Sequence, residues 1–261
     1  MQAVSHPVMC MPGSVAPAAQ RYASLVAAIG DMAELHLKEL EVYREPSPPS
    51  DYSIEMELAG IDRKAASLGL GRFHLVGYSG GGFVSLAYAA TRPGRLISLG
   101  LFEPAGIPGA RTDEEEKAHR SLEEQLRGLD GRDFMSAFVR LQLKPGVQPP
   151  PAPASTPREM RNRPAGISAM IRAFDAYRLD RALFEACSFP VYVGYGDLSD
   201  DYQLVKVQVL ARLFGDIQVR RYAGVHHFVS PEEIYTRAHA SELASLWQRG
   251  EKALAAQLPQ E

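Results

Sequence analysis

The chain has 261 residues, 46% of them hydrophobic, and a formal net charge of −3 at pH 7. This is enough apolar material for one large core, or for a core carrying an inserted segment. The charge itself argues neither for nor against nucleic acid, but no basic stripe appears, so no nucleic-acid partner is expected.

The N-terminal stretch lacks a basic run followed by a long apolar run, so no signal peptide is expected. No segment is apolar over the length needed to span a bilayer. The two cysteines, Cys10 and Cys187, sit in apolar surroundings without zinc-ligand spacing. They read as buried reduced thiols of a cytoplasmic protein.

Strands and helices alternate along the chain, the pattern of a mostly parallel α/β sheet with helices on both faces. His6 to Met11 is an apolar strand ending at Pro12-Gly13-Ser14, and helical periodicity follows from Pro17 to about Gly30. Leu37 to Tyr43 reads as a second strand, residues 45–51 as a proline-rich loop, and Ser53 to Leu68 as a helix stopped by Gly69. Phe73 to Val76 is a buried strand running directly into the turn Gly77-Tyr78-Ser79-Gly80-Gly81, with a helix from Phe83 to Ala90 behind it.

That turn is a strand–G-x-S-x-G–helix junction, the pattern of a nucleophile elbow. A serine at its apex is held in a strained backbone with the hydroxyl clear of the sheet. The chain two residues to either side passes too close for a side chain, which Gly77 and Gly81 permit. The helix behind Ser79 aims N–H groups at a reacting carbonyl.

Leu96 to Phe102 is a wholly apolar strand ending at Glu103-Pro104, and there the alternation stops. Residues 105–186 show no clear strand. Arg111 to Arg127 and Asp133 to Leu143 are helical, the latter with Phe134 and Phe138 on one face. Residues 144–157 are proline-rich. Pro164 to Leu183 is helical again, with Ile167, Met170, Ile171 and Phe174 on one face. An insertion of helices between two strands of one sheet predicts a lid over the sheet's carboxyl edge. The sheet resumes at Pro190 to Tyr195, a helix covers about Gln203 to Phe214, Ile217 to Tyr222 is the last strand, and a long helix runs from Pro231 onward. The division expected is a core of residues 1–104 and 187–261 and a lid of residues 105–186.

With Pro12-Gly13 after the first strand, Gly-Tyr-Ser-Gly-Gly at 77–81 and Gly-Val-His-His-Phe at 224–228, in that order, the chain resembles the α/β-hydrolase family. The resemblance covers nearly the whole chain, although the family's opening β-hairpin is missing. It implies a serine hydrolase, of esterase or thioesterase type, working on an apolar small molecule through an acyl-enzyme. Ser79 would be the nucleophile and His227 the base, since Gly224, His227 and Phe228 match the family's pattern; His226 is the neighbouring alternative. The oxyanion would be held by the N–H groups of Ser14 and Gly80.

The family's usual position for the acid falls here on Ser199, which is no acid; Asp197 lies two residues early and Asp200 one late. A second position known in the family falls on Glu103. Glu103 is preferred as the triad acid, with Asp197 and Asp200 left open. Tyr78, Phe134, Phe138, Met170 and Phe174 are expected to line the substrate pocket. No metal or organic cofactor is implied, and a homodimer is allowed. Carbon–carbon bond hydrolysis on the same fold, or a non-catalytic binding protein that keeps the fold, are the alternatives.

Overall fold

The computed structural model describes residues 4–151, 160–228 and 237–257. Residues 152–157 of the expected proline-rich loop, and the start expected for the last helix at Pro231, lie outside them.

Six parallel strands form one sheet in the order β2-β1-β3-β4-β5-β6. They are β1 (Val8–Met11), β2 (Leu35–Leu37), β3 (Phe73–Tyr78), β4 (Leu96–Phe102), β5 (Val191–Gly196) and β6 (Ile217–Tyr222). The intervening helices are α1 (Ala18–Ile29), α2 (Ile54–Ser67), α3 (Ser79–Thr91) and α7 (Tyr202–Leu213), with α8 (Arg237–Ala256) last. Between β4 and β5 lie α4 (Asp113–Leu126), α5 (Gly131–Arg140) and α6 (Arg163–Ala176).

The central strands are buried on both faces, so they read as continuous apolar runs rather than as alternating ones. Alternate residues still choose sides. Met9, Met11, Phe73, Leu75, Leu99 and Leu101 pack with residues of α2, α3 and α7. Val8, Cys10, Val76, Tyr78 and Phe102 pack with α1 and α8, where Trp247 is fully buried. Both cysteines are free and buried, and burial pushes the Cys187 thiol up to about 12. Among the described residues no helix is long and apolar enough to cross a membrane.

The second strand lies earlier than expected: it runs Leu35–Leu37, sharing only Leu37 with the expected Leu37 to Tyr43, and Glu41–Tyr43 forms a 3-10 turn instead of strand. The cause is the buried carboxylate of Glu57 on α2. It accepts the N–H groups of Glu41 and Val42 at 2.9 and 3.1 Å and draws the chain out of the sheet. The helix expected to reach Leu183 stops at Ala176, and a separate 3-10 segment covers Arg181–Ala186.

The strand order reverses between β1 and β3: β1 connects outward to β2, while β3 leads on to β4, β5 and β6. Loops leaving two such strands part company and open a crevice at the carboxyl edge, where open α/β sheets bind ligands. The loop after β1 and the turn after β3 meet at that crevice. Contact is close: a Cβ on Gly81 would lie 2.3 Å from the carbonyl oxygen of Pro12 and 2.7 Å from that of Met11. The Gly81 N–H donates to the Pro12 carbonyl at 3.0 Å. Because the opposing atoms are backbone, they cannot swing away. Gly81→Ala is therefore expected to lower stability by about 1–3 kcal/mol, read as a fall in the urea midpoint of unfolding.

Candidate active site

Ser79 is the first residue of α3, immediately after β3. Its φ is +51°, in the left-handed region that a side chain populates only under constraint, at a price of roughly 1–3 kcal/mol. The constraint comes from both flanks. A Cβ on Gly77 would lie 2.5 Å from Ser85 Oγ and 2.8 Å from the Gly81 carbonyl, so the turn closes only on glycine. The Ser79 carbonyl accepts the Ala105 N–H at 2.9 Å, fastening the elbow to the chain leaving β4.

His227 lies beyond β6 and is 1% exposed. Its Nε2 is 3.0 Å from Ser79 Oγ and its Nδ1 is 2.6 Å from Glu103 Oε2. A carboxylate can only accept, so Nδ1 carries the hydrogen and the Nε2 lone pair faces the serine hydroxyl. The imidazole stacks on the Tyr78 ring at 5.1 Å between centroids, and the Tyr78 hydroxyl donates to the His227 carbonyl. The far side of the Tyr78 ring carries the Arg21 guanidinium, 3.5 Å from the ring centre.

Glu103, at the end of β4, is fully buried and also has a positive φ, +43°. Its Oε1 accepts the Ser199 hydroxyl and the Gly196 N–H, both at 2.6 Å. Burial alone would raise this carboxyl. The hydrogen bond and charge of His227, with the Ser199 and Gly196 donors, outweigh burial and hold it below the ordinary glutamate range. Burial lowers His227 below its ordinary value, and the Glu103 carboxylate only partly offsets this.

The two aspartates are elsewhere. Asp197 accepts the Gly224 N–H at 2.8 Å and pairs with Arg221 at 3.0 Å. Asp200 accepts the Tyr202 N–H at 2.9 Å. Ser199 lies beside the carboxylate and bonds it. His226 turns away, its Nδ1 accepting the Phe228 N–H at 3.1 Å.

Ser14 and Gly80 both border the crevice with Ser79. The loop after β1 lies against the elbow: a Cβ on Gly13 would sit 3.0 Å from Ser79 Cβ, and one on Gly80 would sit 3.7 Å from Ser14 Cβ. The Tyr43 hydroxyl donates to the Ser14 carbonyl at 2.7 Å, and the Arg163 guanidinium lies 3.8 Å above the Tyr43 ring. Neither residue stands out in the sequence.

The crevice widens into a cavity of about 510 Å³ between the sheet edge and α4–α6. Of the residues named for a pocket wall, Phe138, Met170 and Phe174 border this cavity, and Met170 Cε lies 2.7 Å from where a Gly80 Cβ would be. Phe174 stacks on Phe83 at 4.1 Å. Tyr78 and Phe134, also expected on the wall, are not there. Tyr78 packs instead against His227, Phe102 and the Arg21 guanidinium. Phe134 is packed with Leu126, Phe138 and Ile167, of which Phe138 and Ile167 reach the cavity and Phe134 does not. Lys206 on α7 also borders the cavity while only 2% exposed. Its one sequence signal is a lysine inside the apolar run Leu204-Val205-Lys206-Val207.

No protein-family model matches the chain. A 2-succinyl-6-hydroxy-2,4-cyclohexadiene-1-carboxylate synthase of Enterobacter sp. (strain 638) is 26% identical over 199 residues, covering 71% of this chain and 73% of the relative. Among solved structures, a carboxylesterase of Nitrososphaera gargenis superposes with a TM-score of 0.69 at 16% identity, over 97% of this chain and 93% of that one. The meta-cleavage product hydrolase of Pseudomonas fluorescens IP01 gives 0.65 at 13% identity, over 95% and 92%. An alpha/beta hydrolase of Sphaerobacter thermophilus gives 0.61 at 20% identity, over 94% of each chain. The protein has the α/β-hydrolase fold.

Because burial lowers His227, its ring stays neutral, and able to accept a proton, below its ordinary range. A serine activated by this ring would need that neutral form, so its reactivity would be lost only as pH falls through the lowered value. The rate of Ser79 labelling by a fluorophosphonate should therefore hold constant from pH 8 down past about 6.5 before its acid limb begins.

Proposed function

We propose that the protein is a serine hydrolase that cleaves a carboxylic ester or thioester of a small molecule through an acyl-enzyme. The observation that carries this is the hydrogen-bonded chain Ser79–His227–Glu103, with its hydroxyl end at the floor of a largely apolar cavity.

Each group has a defined task. His227 Nε2 takes the Ser79 proton as Oγ bonds to the carbonyl carbon, and the oxygen left negative is held by the N–H groups of Ser14 and Gly80. Collapse breaks the bond to the leaving alkoxide or thiolate, which takes the proton from His227. Water then attacks the acyl-enzyme by the same route, releasing the acid and restoring Ser79. Glu103 holds the imidazole in the tautomer that leaves Nε2 free, and balances the positive charge that develops on the ring. Ser199 and Gly196 keep that carboxylate ionised and aimed.

In this reading residues 105–186 are the lid and residues 1–104 with 187–261 the core. The lid's helices supply the apolar wall at Phe138, Met170 and Phe174, which suits an acyl chain or aromatic ring better than a sugar. A binding protein without turnover would have no use for two strained residues, Ser79 and Glu103, held in one hydrogen-bonded chain. Cleavage of a carbon–carbon bond next to a carbonyl is the second reading. It draws on the likeness to the meta-cleavage product hydrolase.

Turnover of short p-nitrophenyl esters and acyl-thioesters, read beside a thermal melt, tests the assignment. Ser79→Ala and His227→Ala should each lower kcat by about 10⁴-fold or more with folding retained, and Glu103→Gln by about 10³–10⁴-fold. Asp197→Asn and His226→Ala should change kcat by no more than about threefold, since neither side chain reaches the imidazole or the serine. Esters inert while a ring-cleavage product is hydrolysed would favour the second reading.

A further inference from the structure

We propose that Lys206 forms an anion-recognising wall in the cavity, so that the acyl group delivered to Ser79 carries a carboxylate of its own. This deepens the hydrolase reading and rests on it for the position of the reacting carbonyl.

Lys206 projects from α7 beside the end of β4. Its ammonium donates to the Pro104 carbonyl at 2.6 Å and lies 4.8 Å from the centre of the Tyr202 ring. An ammonium has three donors. Among the described residues no carboxylate lies within ion-pairing distance of it, and the charged groups that face it are committed elsewhere. Glu103 is held by His227, Ser199 and Gly196. Asp200 caps the Tyr202 N–H. Glu115 is gripped on both oxygens by Arg181 at 2.8 Å. His227 adds no negative charge.

Burying a cation without a contact partner is expensive, and the interaction is recovered when an anion arrives. The other basic groups on the wall differ. Arg111 is already paired with Asp175 and Glu116, and Lys117 is exposed. Burial lowers the Lys206 amine to about 8, which still leaves it mainly protonated at pH 7. Phe83, with Met170, Ile171 and Phe174 of α6, gives the cavity its apolar lining, and Asp200 and Asp201 border it as well. An aliphatic acyl chain ending in a carboxylate matches both surfaces: methylenes against the rings, the charge on the ammonium.

The test compares p-nitrophenyl monoesters of succinate, glutarate and adipate with the corresponding p-nitrophenyl methyl diesters, in which the distal charge is capped. The wild type should favour at least one free carboxylate over its methyl ester by about tenfold or more in kcat/KM, the worth of one charge-assisted hydrogen bond. In Lys206→Met that ratio should fall to about one. It should also fall in the wild type as pH rises through about 8, because the ammonium loses its proton there. Lys206→Gln, which keeps a donor for Pro104 but no charge, should lose the ratio too, and serves if Lys206→Met does not fold.

Absence of any preference at all three chain lengths overturns the proposal. So does an equal fall on charged and capped esters, which would make Lys206 a clamp on Pro104 alone. If no ester is turned over, the hydrolase reading has failed and the anion site is judged by calorimetry with monomethyl succinate, glutarate and adipate. Binding by the wild type that Lys206→Met abolishes sustains it, and no binding overturns it.

Discussion

Glu103 is the point at which separate parts of the chain are tied together. It ends β4, accepts from Gly196 and Ser199 at the exit of β5, and accepts from His227 beyond β6. A fully buried carboxylate is tolerable only if its oxygens are met by donors, and here two segments distant in sequence, the exit of β5 and the loop after β6, supply three. The same condition fixes the site. The loop after β5 must fold toward β4, and the loop after β6 must bring its imidazole over the carboxylate, or the charge is left stranded. Glu103 holds this place with a positive φ, +43°, a backbone conformation that a side chain rarely adopts.

A second set of constraints works through the absence of side chains. The elbow, the loop after β1 and the chain after β4 approach so closely that backbone touches backbone. Gly81 lies against Met11 and Pro12, Gly77 against the first turn of α3, and Gly82 against Pro104. These contacts hold Ser79 in a conformation it would not adopt alone. They also bring the loop after β1, which carries Ser14, against the elbow. In the proposed function that preorganisation is what stabilises the oxyanion without rearrangement during the reaction.

The helices between β4 and β5 connect to this frame at several places, among them Ala169 and Ala173 of α6 in the main core and the bridge from Leu143 to Ser199. Arg163 and Gly166 of α6 press on Tyr43, whose hydroxyl is bonded to the Ser14 carbonyl, and Met170 reaches Gly80. Arg181 fastens Glu115 of α4 to the carbonyls of Ile107 and Pro108. A cavity wall anchored this way takes its shape from α4–α6 and its chemistry from the strand ends. A hydrolase built so can change substrate by changing the helices while the reacting groups stay in place.

Much of this organisation is legible in the residues. Apolar runs bounded by turns mark β1, β3, β4, β5 and β6, because strands buried on both faces need no polar alternation. The elbow is legible because its geometry admits so few residue types. What local patterning could not tell is where the chain leaves the sheet for reasons lying elsewhere. Leu37 to Tyr43 is apolar enough for strand, but Glu57, from the next helix, captures its N–H groups. Phe134 and Phe138 share a helical face, yet only Phe138 reaches the cavity, since a stripe does not say which neighbour fills which part of it. Glu103, Asp197 and Asp200 all stand at strand ends on one edge of the sheet. Only the tertiary structure places one of them 2.6 Å from an imidazole and gives the others different partners. The sequence by itself determined five of the six strands, the glycine-bounded serine and the order of the groups, since these depend on local sterics and burial. The choice of carboxylate and the buried charge of Lys206 were decided in three dimensions, because electrostatic partners are set by distance through space and not by spacing along the chain.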